Sequence, residues 1–133
     1  MFSPSARGAA TYQQTAVQCG TPLELVVKLY DAAIKNVVKA RDGLKSGDLV
    51  AKKDGMSNAM AIVAELRSSL DMARGGEIAV SLDRLYAYVS ERLVDANVNK
   101  DPRGFDEVYR LLVPLRDAWQ QIAAGQVGAR GVK

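Results

Sequence analysis

The chain has 133 residues, 48% hydrophobic and 25% charged, enough for one domain that buries roughly two-thirds of its unfolded surface without disulfides or metals. It contains no histidine and one cysteine, which excludes the usual zinc, haem, Cys/His and Ser/His/Asp constellations, so no cofactor and no catalysis are expected. The net charge of +3 invites a nucleic-acid partner, but lysines and acids are interspersed, so none is expected.

Residues 1–20 are small and polar without a period, and they predict a flexible arm. They lack the charged start and apolar block of a secretory signal, and cytoplasm is the default location. Tyr12 and Val17 are apolar enough to dock on something, whereas Cys19 has no base beside it and is incidental. A helix start follows at Thr21-Pro22-Leu23-Glu24, where Thr21 can cap, Pro22 suits the first helical position and Glu24 completes a capping box. The first helix is expected over residues 22–45. Its main stripe is Val26, Tyr30, Ala33, Ile34, Val37 and Leu44, widened on one flank by Leu25, Leu29 and Ala32.

Gly47 is a stop and Asp48 the next cap, opening a second helix over residues 49–72. Leu49, Met56, Ala59, Met60, Val63, Leu66 and Leu70 share its inner face. Gly55 costs roughly 1 kcal/mol against alanine and marks the first two turns as the loosest part of the molecule. The chain is expected to reverse at Gly75-Gly76 and to continue as a third helix over residues 77–97. Ile78, Leu82, Leu85, Val89, Leu93 and Ala96 point inward there, while Tyr86 and Tyr88 flank the stripe with wet hydroxyls. Asn97 to Pro102 is turn chemistry. A fourth helix over residues 103–123 turns Val108, Leu111, Leu112, Leu115, Trp119 and Ile122 inward, and Pro114 kinks it without breaking it, because the stripe stays in phase. Residues 124–133 predict a disordered tail. With no strand alternation, the fold class is all-α: an antiparallel up-down four-helix bundle with a flexible N-terminal arm.

No apolar run approaches the roughly 18 residues of a membrane span, so stable membrane insertion is not expected. On the first helix Asp31 and Lys35 stand in acid-first i,i+4 order, as do Asp106 and Arg110 on the fourth, which predicts local pairing on solvated faces. A di-metal site fails for want of histidine and inward glutamates, and Gly75-Gly76 lacks the surroundings of a phosphate loop. Met56 and Met60, and likewise Leu25 and Leu29, either fill the core or line a groove for an apolar partner helix. Tyr12 and Val17 are either inert or a cover for such a groove. From the residues alone the chain is a helical interaction module, and a rival reading makes the broad apolar arcs the seam of a homo-oligomeric adaptor.

Several stretches resemble the flagellar secretion chaperone family FliS in order and spacing. They are Tyr12-Gln13-Gln14 with Val17, Thr21 to Leu25 with Leu29 to Ile34, Ile62 to Leu66 with Ser69 to Asp71, Gly75 to Ala79 with Leu82, Leu85, Tyr86 and Tyr88, Arg92-Leu93 with Ala96-Asn97, and Glu107-Val108 with Leu111-Leu112, Leu115-Arg116 and Ala118-Trp119. Thr21 stands where the family usually has serine. The resemblance implies a cytosolic chaperone that binds the C-terminal segment of flagellin, prevents its premature polymerisation and presents it to a flagellar export gate component. The expected partner contacts are Leu25, Leu29, Met56, Met60, Tyr86 and Tyr88, with Tyr12 and Val17 as a displaceable cover and at most a weak homodimer.

Overall fold

The computed structural model describes residues 22–132, with side chains as far as Gly125. Tyr12, Val17, Cys19 and the Thr21 cap lie outside the described residues. Four helices follow one another: α1 (Pro22–Ser46), α2 (Leu49–Ser68), α3 (Met72–Val98) and α4 (Pro102–Val132). α1 packs on α2 and α4, and α3 packs on the same two, so α1 and α3 stand on a diagonal. Short connections force neighbours to run antiparallel, which makes the described residues an all-α up-down four-helix bundle.

The caps follow the local chemistry. Gly47 takes a φ of +80°, and the Asp48 carboxylate accepts the Ala51 N–H at 3.1 Å to start α2. Asp101 accepts the Arg103 N–H at 3.0 Å, and Pro102 occupies the first position of α4. α4 continues through Pro114 with Leu111, Leu112, Leu115 and Trp119 packed toward the core on both sides of it.

Three helix ends differ from the sequence expectation. α2 stops at Ser68, and the Asp71 carboxylate then caps a single turn by accepting the Ala73 and Arg74 N–H groups at 3.1 and 3.0 Å. Gly76, at φ +53° and ψ −131°, interrupts that turn before the long part of α3 begins. The reversal is therefore spread over Ser69 to Gly76, because Asp71 offers a cap that the in-phase Leu70 concealed. Only glycine accepts the Gly76 conformation without strain. At the other end, α4 runs to Val132, since glycines weaken a helix but no proline or cap stops it.

The core is formed by side chains from all four helices, among them Leu29 and Tyr30 of α1, Ile62 and Val63 of α2, Tyr86 and Leu93 of α3, and Phe105 and Leu112 of α4. Across the diagonal the Tyr30 and Tyr86 hydroxyls meet at 2.6 Å, with their rings tilted by 56°. Burial raises the pKa of both phenols, so this hydrogen bond is neutral throughout the working pH range. Tyr86 thus keeps no wet hydroxyl: its ring lies too deep between α2 and α4 to reach water.

Gly55 also departs from expectation. A Cβ there would lie 2.6 Å from the Asn36 carbonyl oxygen and 2.7 Å from the Ala40 nitrogen, so α2 crosses α1 backbone against backbone. Beside the crossing Asn58 donates to the Asn36 amide oxygen at 3.0 Å, and Asn36 donates to the Ala32 carbonyl at 2.8 Å. The first turns of α2 are held tightly, because the missing side chain lets two helices touch.

Asp31 and Asp106 also form their ion pairs between helices rather than along one. Asp31 meets Arg116 at 2.8 Å and Asp106 meets Arg41 at 2.9 Å, both joining α1 to α4, in place of the local Asp31–Lys35 and Asp106–Arg110 pairs. Arginine reaches across the seam and presents a fork that suits a carboxylate.

Candidate functional site

Two hollows lie along the α2–α3 side of the bundle. The first is a cleft of about 380 Å³ at one end, where α2 finishes, α3 begins and Val26 of α1 and Trp119 of α4 form the far wall. Leu66, Leu70, Ile78, Leu82 and Tyr86 line it, and Asp71 and Arg74 stand on it too. Its exposure follows from register. Arg67 holds Asp83 at 2.6 Å, which sets those residues level; Ile78 lies five positions earlier, about 7.5 Å along the axis, where α2 has already ended. Ile78 is consequently 71% exposed although its spacing marks it as core.

The second hollow, of about 340 Å³, lies between the first turns of α2 and the last turn of α3, and is lined by Leu49, Lys52, Lys53, Met56, Ser57 and Asn97. Leu49, expected on the inner face, is 64% exposed here, beside the end of α3 at Val98. Ile122, also expected inward, is exposed near the described end of α4.

The expected partner contacts divide among different surroundings. Met56 lines the second hollow, Tyr86 forms part of the end cleft while remaining buried, and Met60 is half-buried against the core. Leu25 and Leu29 are buried core residues: the apolar arc of α1 is broad because two helices cover it, not because a groove is left open. Tyr88 lies apart, exposed, its hydroxyl donating to the Glu107 carboxylate. Sequence reasoning missed Ile78, Leu70, Leu82 and Trp119 as cleft residues, since periodicity places them on a core stripe and carries no sign of where a neighbouring helix stops. It also read Asn97 only as a turn residue.

The charged surroundings are structural. Glu107 accepts from Tyr88 and from Arg92 Nε at 2.7 Å, and both bonds hold its carboxyl below the usual range. The Arg67 guanidinium does the same for Asp83, and Arg103 for Asp101. A carboxylate with a depressed folded pKa stabilises the fold above its unfolded value and loses that contribution as pH falls through the folded value. With no histidine to titrate, Tm should be flat from about pH 8 to pH 5 and decline below about pH 4, modestly because these pairs are exposed. Circular dichroism melts across that range check this; a steep loss already between pH 7 and 5 would contradict it.

Among the described residues no group of three or more His, Cys, Asp or Glu is placed to hold a metal ion, and no helix is long and apolar enough to cross a membrane. What the surface does offer is apolar hollows with polar rims, suited to taking up another chain's apolar side chains. Fold and site define a helical-bundle protein with open apolar hollows on its surface. The model of the family described as flagellar protein FliS matches residues 5–126. The flagellar secretion chaperone FliS of Salmonella typhimurium is 39% identical over 124 residues, covering 90% of this chain and 92% of the relative. FliSB of Pseudomonas aeruginosa is 34% identical, covering 84% and 92%, and FliS of Bacillus subtilis is 34% identical, covering 83% and 81%. The chain belongs to the FliS family of flagellar secretion chaperones.

Proposed function

We propose that this chaperone works in the cytosol, binds the C-terminal segment of flagellin, prevents its premature polymerisation and supports its delivery to the flagellar type III export gate. The observation that carries the reading is the open apolar cleft at the end of the bundle. Leu66 on that cleft and Met56 on the second hollow are ten residues apart on α2, about 15 Å, so one client segment can span both, passing Met60.

A client segment that is disordered when free gains buried apolar area on such a surface, which offsets the cost of ordering it. Occupying the segment's assembly surface is itself the activity, so neither hydrolysis nor a cofactor enters the mechanism. Tyr12 and Val17, outside the described residues, serve in this proposal as a cover that the client displaces.

Calorimetric titration of the full chain with a peptide of the flagellin C-terminal segment should give one-to-one binding with Kd on the order of micromolar or tighter. Absence of heat at high micromolar concentration would overturn the proposal. A tight dimer in light scattering that ignores flagellin would instead support the homo-oligomeric adaptor.

A further inference from the structure

We infer that the outward face of α3 is a self-association surface, on which a second copy of this chain docks antiparallel through its own α3. This surface lies apart from the end cleft and is independent of the client proposed above.

α3 carries two stripes. Val89, Leu93 and Ala96 are buried against the rest of the bundle. On the other side Val80, Arg84, Ala87, Glu91, Val94 and Val98 follow one another at alternating steps of four and three, the spacing of a coiled-coil seam. Val80, Val94 and Val98 are exposed, so folding gains little from them. Ala87, at the middle of the stripe, is small enough to let a second helix approach closely.

The two charged residues on the seam identify the occupant. Among the described residues Arg84 and Glu91 form no ion pair or hydrogen bond, whereas every other described arginine except Arg110 holds a carboxylate. Seven residues apart, about 10.5 Å along the axis, Arg84 and Glu91 do not reach each other. Two copies of α3 laid parallel in register would set arginine against arginine and glutamate against glutamate. Laid antiparallel about a two-fold axis between Ala87 and Tyr88, each Arg84 stands opposite Glu91 of the second copy, since the two positions are equally far from that axis. The same axis brings Val80 to within about 1.5 Å of level with Val94 of the second copy. A patch that carries its own complement is what a two-fold dimer requires.

The end cleft stays open in such a dimer. Ile78, on the cleft, and Val80 are two residues apart on one helix, so their side chains point about 160° away from each other. Contact along about 27 Å of a single helix pair buries well under the roughly 1,200 Å² of a stable interface, which makes the dimer weak, with Kd on the order of 100 μM.

Sedimentation equilibrium of the full chain from about 10 to about 500 μM should show monomer and dimer in exchange. Arg84→Glu or Glu91→Arg alone should weaken association at least about 10-fold, because each sets like charges opposite one another. An equimolar mixture of the two variants should recover the association of the natural chain, one supplying two acids and the other two bases, and the double variant should recover it too. Both positions are exposed, so Tm should move by no more than about 1 °C and loss of fold does not mimic the effect. A natural chain that stays monomeric at about 500 μM, single variants that associate as it does, or a mixture without recovery overturns the inference. The flagellin C-terminal peptide should bind the natural chain and the single variants alike. Loss of peptide binding in the single variants would place the client on this face and also overturn the inference. A charge-swap-sensitive dimer that gives no heat with the peptide would overturn the chaperone reading and leave this surface standing.

Discussion

Replacing Gly55 by alanine is expected to lower Tm by roughly 8 °C, corresponding to a net loss of about 2 kcal/mol. Taken alone, the substitution favours the helix by about 1 kcal/mol, because alanine loses less backbone entropy. The crossing opposes this gain. The new Cβ would stand 2.6 Å from the Asn36 carbonyl oxygen and 2.7 Å from the Ala40 nitrogen, and neither is the end of a flexible side chain that could rotate away. α2 must back off from α1, which loosens the packing of Ala40 and Ala59 and strains the Asn36–Asn58 bond. Gly125→Ala is the control: nothing surrounds that position, so it should leave Tm unchanged or raise it slightly. Thermal melts of both variants decide the matter, and a higher Tm for Gly55→Ala would mean that the α1–α2 crossing is slack.

Ile78→Asp should weaken flagellin-peptide binding about 100-fold, or roughly 2.7 kcal/mol, while Tm stays within about 2 °C. The side chain is already 71% exposed in the free protein, so folding gains little from it. In a complex that fills the end cleft, the same side chain becomes an apolar wall, and a carboxylate there would be stripped of water without a partner. As an acid in the first turn after Gly76 it is also compatible with the start of the helix. Calorimetry and circular dichroism on one preparation separate the two effects. Undiminished affinity would remove the end cleft from the client surface.

Most of the secondary structure was legible in the sequence because periodicity and capping are local. The Gly47-Asp48 break is set by residues within one turn of the event, as is the turn from Asn97 to Asp101 that precedes α4. The continuation of α4 through Pro114 was legible for a similar reason, since the stripe on either side stays in phase. The misjudged positions all depend on a neighbour. Gly55 looks like a weak point until α1 is seen against it, and Leu25 and Leu29 look like a groove until two helices cover them. Asp31 and Asp106 look locally paired until arginines from across the α1–α4 seam take them.

The sequence by itself determined that this protein is an all-α bundle, and the order of its motifs pointed to its family. Those properties are carried by residue type and spacing along one chain direction. Tertiary structure alone decided which apolar residues stay open. Ile78 and Leu85 belong to the same stripe, yet the register fixed by Arg67 and Asp83 leaves Ile78 beyond the end of α2 while Leu85 packs against the core. Asn97 is the polar counterpart. A turn-like residue in the sequence, it becomes an unpaired carboxamide only where the ends of α2 and α3 enclose it. Whether a side chain serves the core or a partner depends on where neighbouring helices stop, and that is set by packing among distant segments.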